Sequence, residues 1–180
     1  MKVWMLTGMV DRYETITFED VENSLKLIKG VGTGSMLSSW SPINTIPARA
    51  GLRNDFHVEL TVPVVSEKAL NIIRSMIEGE AEFLPLIHPK ENYYILNVCN
   101  ILNCLDSNRV EYTTFSTGKV KKYTKLAFRP EIISKSHIFK TTYHDIPDVA
   151  LNQIFVSNHF RNVVMESGLC GFYFTEVWED

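Results

Sequence analysis

Apolar positions recur along this chain with two different periods, and the alternation between them marks its elements. The opening "MKVWMLTGMVDRYE" fits a first strand. Residues 17–30, "TFEDVENSLKLIKG", place Phe18, Val21, Leu25 and Ile28 along one helical face. Thr17 is the expected cap, with Glu19, Asp20 and Glu22 near the start, Lys26 and Lys29 near the end, and Gly30 releasing the chain. From 30 to 54 neither period holds. The segment "GVGTGSMLSSWSPINTIPARAGLRN" reads as a long loop, the most mobile part of the molecule, and loops of such length are functional or disordered.

Strict alternation returns in "DFHVELTVPVV", which predicts one half-buried strand with Phe56, Val58, Leu60 and Val62 inward and Asp55, His57, Glu59 and Thr61 outward. Ser66 then caps a second helix with Ala69, Ile72, Ile73, Met76 and Ile77 as its buried stripe, ended by Gly79. "EFLPLIH" and "NYYILNVCNIL" are strands by content, and "DSNR" at 106–109 turns the chain into "VEYTTFS". "TGK" at 117–119 turns it again, into "VKKYTKLAF" and, after Pro130, "EIISKSHIFKTTY".

Beyond the loop "HDIPD", residues 154–174, "IFVSNHFRNVVMESGLCGFYF", combine a strand, a Ser157-capped helix with Phe160, Val163 and Val164 inward, a left-handed stop at Gly168 and a last strand at 171–177. Its "VSNHFRNVV" echoes "VSEKALNII" at 65–73, because the same letters suit any capped strand-to-helix junction. Strands outnumber helices, and the short links between them favour antiparallel pairing. The expected fold is α+β, a mainly antiparallel sheet with about three helices in a single domain.

Composition narrows the function classes. With 45% hydrophobic residues over 180 positions, the chain can bury one substantial core. A net charge of −3, with basic and acidic residues interleaved, gives no basic footprint for nucleic acid. The longest uncharged stretch, "NYYILNVCNILNCL", is too short and too rich in asparagine to span a bilayer, so no membrane partner is expected. The start lacks a secretory cleavage signal. Cys99, Cys104 and Cys170 are odd in number and set among apolar residues, which suits buried thiols in a reducing cytoplasm.

Candidate chemistry is sparse. "KGVGTGS" at 29–35 lacks the Gly-Lys-Ser/Thr ending of a phosphate loop and reads as a helix end running into a loop. Cys99 and Cys104 have no histidine at zinc-finger spacing. His137, His144, Asp145 and Asp148 form the best remaining cluster for a metal or for acid–base work, although their spacing fits no ligand motif. Asp55 and His57 share a predicted strand face, as a base and its orienter would, without a serine or cysteine in a nucleophile elbow. Glu80, Glu82, Glu176, Glu179 and Asp180 read as solvated carboxylates. Trp178 in "EVWED" is either an exposed anchor for a basic partner or, preferably, an edge-strand side chain packed on the core.

Taken in order, "NDFHVELTVPVVSEKALNII", "EFLPLI", "YYILNVCNILNCLDSN", "HIFK" and "IFVSNHFRNVVMESGLCGFYF" resemble the immunity protein eleven family of bacterial polymorphic toxin systems, over roughly residues 54–175. Lys140 stands where that family usually has an arginine, and Phe172 and Tyr173 where smaller residues are common. The resemblance implies a cytoplasmic protein that binds and neutralises a cognate toxin without catalysis or cofactor. It divides one compact unit into residues 1–53, an unmatched strand, helix and loop suited to partner specificity, and an immunity-like region at 54–180. The alternative is a small-ligand binder or enzyme using the His137–Asp148 segment.

Overall fold

The computed structural model describes residues 1–9, 11–145 and 151–180. Two sheets carry the fold. The first is ordered β13 (Phe172–Glu179), β1 (Lys2–Gly8), β12 (Ile154–Ser157), β11 (Ile138–Thr141), β8 (Ile101–Leu102). The second is ordered β2 (Thr15–Phe18), β3 (Ile43–Arg49), β6 (Ala81–Ile87), β7 (Tyr93–Val98), β5 (Val62–Ser66), β4 (Phe56–Glu59). Only β11 with β8 and β3 with β6 run parallel among these pairs, so the expected mainly antiparallel α+β fold is the one observed. A separate hairpin joins β9 (Glu111–Thr114) to β10 (Val120–Lys125). The helices are α1 (Val21–Leu27), α2 (Glu67–Ile73), the single turn α3 (Pro130–Ile133) and α4 (Asn158–Glu166). Pro130 opens α3 at a position where its missing N–H is not needed.

The two echoed segments build matching junctions. Ser66 (φ −70°, ψ 162°) accepts from the Ala69 N–H at 3.2 Å, and Ser157 (φ −71°, ψ 161°) accepts from the Phe160 N–H at 3.1 Å. Helices α2 and α4 then share one core, in which Ala69, Ile73, Ile77, Phe160 and Val164 meet side chains of both sheets, among them Leu6, Phe56, Val65, Leu96 and Val156. Each such large side chain stabilises the fold by roughly 1.5–3 kcal/mol when fully buried. Two smaller cores lie on the outer faces. Phe128, Phe139, Phe155 and Trp178 fill one, and Phe18, Ile28, Val64, Leu84 and Ile95 the other. Gly168 takes φ +69° just after α4, the left-handed stop its position predicts.

Four local expectations are corrected. Residues 55–65 are a hairpin, β4–β5, instead of one strand, and its two-residue turn is Leu60–Thr61 with φ of 48° and 70°. The reversal undoes the alternation: Val58 and Leu60 are exposed, while Asp55 and His57 are buried. Thr17 lies in β2 and caps nothing; Asp20 caps α1, accepting from the Asn23 N–H at 3.0 Å. The segment 30–54 is not a structureless loop, since it contains a 3₁₀ turn at Leu37–Ser39 and strand β3. Finally, "NYYILNVCNIL" breaks at Cys99–Asn100: β7 belongs to the second sheet and β8 to the first. Asn100 spans the break, its side-chain amide donating to Glu80, Ser136 and the Ile138 carbonyl, each at 3.1 Å.

Asp55 ties the two junctions together. Its carboxylate accepts from the Ser66 hydroxyl at 2.7 Å and from the Cys170 N–H at 3.0 Å. Its backbone N–H donates to the Cys170 carbonyl, and its carbonyl accepts from the Ser66 N–H. Arg53 and Lys68 approach the same carboxylate at 3.6 and 3.9 Å from the solvent side. Removing Asp55 strands a buried hydroxyl and a half-buried N–H, so Asp55→Ala is expected to lower unfolding stability by about 3 kcal/mol, against about 1 kcal/mol for Ser66→Ala. Urea denaturation of both variants checks this; equal losses would refute the tie.

His57 supplies a pH dependence. Burial is the largest influence on its imidazole and holds the pKa down at about 4, against smaller opposing effects of Glu14, Asn54 and Asp55. The unfolded chain therefore takes up a proton that the fold refuses. Stability contributed by neutral His57 is complete above the unfolded value of 6.5 and is lost as pH falls towards 4, by up to about 1.4 kcal/mol per pH unit. His57→Gln is expected to flatten the urea midpoint across that window, and an unchanged slope would count against the assignment.

Candidate partner-binding face

The N-terminal helix shows its apolar side to solvent. Because the chain stays extended through Phe18, α1 begins at Val21 with a phase that turns Ser24 and Ile28 inward. Val21, Leu25 and Leu27 are left exposed, Leu25 by 50%. This inverts the predicted stripe, of which only Phe18, from β2, and Ile28 are buried. Leu25 and the Leu60–Thr61 turn stand on the same groove, a recess of about 520 Å³ also lined by Val62, Leu96, Val98 and Ile154. Threonine is a costly residue at positive φ, since its branched Cβ crowds the backbone. The exposed turn therefore holds strain in a surface feature, a pattern concentrated at functional sites.

One edge of the groove is built by the glycine-rich segment, and three polar side chains, two of them buried, hold it. Asn97, fully buried on β7, accepts from the Gly32 N–H at 2.6 Å and donates to the Gly34 carbonyl at 2.9 Å and to Glu82 at 3.1 Å. Glu82 accepts in turn from the Met36 and Leu37 N–H groups at 2.8 and 3.2 Å and from the Ser35 hydroxyl. Partial burial pushes the Glu82 carboxyl up, but these donors outweigh it and hold it below the usual range. Lys140 on β11 donates to the Gly32 carbonyl at 2.9 Å. Gly32 has φ +76°, a conformation that favours glycine, and a Cβ there would lie 2.8 Å from the mobile end of Lys140, so a larger residue would also displace the ammonium. Gly32 thus serves a close approach to a lysine.

The other candidates scatter. His137 contacts Ser157 at 3.1 Å through Nδ1 and lies beside the tilted ring of His159, while its backbone N–H donates to Glu80. His144 instead meets the Tyr123 hydroxyl at 2.7 Å, and Asp145 accepts from the Val120 N–H. Asp148 lies outside the described residues. Among the described residues no group of three or more His, Cys, Asp or Glu side chains is placed to hold a metal ion.

Asp55 and His57 do not form a base and orienter, because Asp55 is spent on Ser66 and Cys170 and His57 Nδ1 faces Asn54 at 3.3 Å. Glu80 is not a free solvated carboxylate either; it accepts from the His137 and Ile138 N–H groups and from Asn100. Neither is Glu82. Trp178 is buried against Phe128, which removes the exposed-anchor reading of "EVWED". Of the thiols, Cys104 is buried as expected, whereas Cys99 and Cys170 are half-buried. Burial pushes the Cys99 and Cys104 thiols up to about 11, which leaves them inert as nucleophiles.

A second exposed surface is the β9–β10 hairpin, where Tyr112 and Phe115 are open to solvent and Lys121 sits 5.9 Å over the Phe115 ring. Lys119, Lys122 and Lys125 belong to the same arm, with Lys125 paired to Glu111 at 3.2 Å. Neither surface carries a motif. What marks them is exposure, which for the groove face depends on the hairpin reversal and helix phase described above.

No described helix is long and apolar enough to cross a membrane. Comparison with curated proteins gives no match. A model of the immunity protein family Imm11 matches residues 47–179, the region from the second half of β3 to the end of β13. With nearly three-quarters of its length matched, and with the two capped junctions and their shared core inside the match, the chain belongs to the immunity protein family Imm11.

Proposed function

We propose that this protein binds a cognate toxin in the cytoplasm and blocks it by occlusion, without chemistry of its own, and that the groove face formed by α1 and the Leu60–Thr61 turn is where the toxin docks. Family membership supports the role. The observation that carries the location is the exposure of Leu25 and Leu60 beside one apolar recess. Apolar side chains grouped on a surface mark association sites, and interface energy concentrates in a few such anchors. The net charge of −3 steers a partner only weakly, so affinity rests on packing.

Helix α1 lies outside the region matched to the family, and the Leu60–Thr61 turn lies inside it. One face thereby joins a segment free to differ between relatives with a feature of the common fold. That suits a protein whose partner must be its own toxin and no other, as residues 1–53 were expected to do.

Co-expression with the toxin encoded beside it tests the role: rescue of growth and co-elution of the two chains are expected, and unprotected cells with no complex would defeat it. Leu25→Asp tests the place. It is expected to leave stability within about 0.5 kcal/mol and to weaken the complex about 30-fold or more. The paired change Leu60→Asn with Thr61→Gly supplies residues at ease in a turn of positive φ. Higher thermal stability with weaker toxin binding is expected; tight binding by both variants would move the interface elsewhere.

A further inference from the structure

The groove contains a charge with no counter-charge among the described residues. Lys140 is 8% exposed, yet among the described residues no carboxylate lies within ion-pair distance of its ammonium. One of its three N–H donors is used, on the Gly32 carbonyl. The described residues lining the groove include two lysines, Lys29 and Lys140, and no aspartate or glutamate. Burying a cation without a counter-charge is costly, and burial accordingly holds the Lys140 amine below its ordinary pKa. The ammonium is also fixed in place. Gly32 accepts from it, and Asn97 holds Gly32 from the other side at 2.6 Å.

We propose that the groove is a socket for one acidic side chain of the cognate toxin, whose carboxylate pairs with Lys140 while its stem rests against Leu25 and Leu60. This rests on the toxin-binding reading and adds the chemistry that the toxin must present. Two lysines with no acid among the lining residues select an anion. The apolar walls around them, Val62, Leu96, Val98 and Ile154, select one carried on a short aliphatic stem. An amine nucleophile is the other use of a buried lysine, but among the described residues no carboxylate or histidine lines the groove to move the protons such chemistry requires.

Lys140→Met removes the charge and keeps the stem; Lys140→Gln also keeps a donor for the Gly32 carbonyl. Both are expected to hold or raise the thermal midpoint, because an unpaired buried charge disappears. Both are expected to weaken the toxin complex about 30-fold or more, as loss of one member of a desolvated pair does. The groove's chemistry is read separately by nuclear magnetic resonance, with butyrate and its uncharged analogue butyramide as probes. Butyrate is expected to shift the Leu25 and Leu60 methyl signals of the parent chain and not of either variant, and butyramide to shift neither.

Equal shifts with the two probes would overturn the anion socket. Variants that bind toxin as tightly as the parent would overturn the acidic contact while leaving the toxin-binding role intact. A parent chain that forms no complex with the toxin at all would instead defeat the role itself, and this inference with it.

Discussion

A single buried carboxylate, Asp55, sets the relation between the two halves of this fold. Each half has a strand that ends in a capping serine and a short helix, and neither helix alone covers the sheet beneath it. Asp55 reaches the cap of one unit through the Ser66 hydroxyl and the turn after the other through the Cys170 N–H. That fixes α2 beside α4, so the apolar stripes of both close over a core drawn from both sheets. Arg53 and Lys68 offset part of the charge at the surface, where each is about half exposed. The carboxylate is therefore satisfied mainly by short hydrogen bonds, and its value lies in geometry more than in Coulomb attraction.

The same logic orders the segment between α1 and β3. Its glycines and serines cannot bury apolar surface, and composition alone gives no reason for it to hold a shape. Asn97 and Glu82 provide the reason, by accepting the backbone N–H groups that the segment would otherwise leave to water. A buried amide in the middle of a strand is expensive unless paired. Here its pairing turns a flexible stretch into one wall of a groove. The cost of burying the amide is offset by four hydrogen bonds that also define a surface.

Legibility in the sequence followed the range of the forces involved. Ser66, Ser157 and Gly168 act over three or four residues and were readable from neighbours alone. The β4–β5 turn was not, because Leu60 and Thr61 carry none of the chemistry that marks a turn and continue an alternation that looks like a single strand. The break at Cys99–Asn100 was hidden for a related reason: an asparagine among aliphatics is ambiguous until Glu80, Ser136 and Ile138 are brought from elsewhere to receive its amide. The groove required both errors to be corrected, together with the phase of α1. A groove face made of exposure and of one lysine with no carboxylate partner among the described residues leaves no local pattern to find, whereas the family's ordered segments could be recognised without knowing any contact.

Strand β1 has a further consequence. It lies between β12 and β13, with Lys2 opposite Glu179 and Leu6 opposite Ile154 and Phe174. Both of its edges are thus filled by residues made some 150 positions later, and the loop that must close is nearly as long as the described chain. Closure of so long a loop delays folding far more than it reduces final stability. During synthesis one edge of β1 lacks its partner until β12 has been made and the other until β13 has, so the first sheet is completed last. The six-stranded sheet and its β4–β5 hairpin depend on closer partners and can form ahead of it, so the Leu60–Thr61 turn waits for Lys140 and Ile154 of the first sheet before its groove is complete.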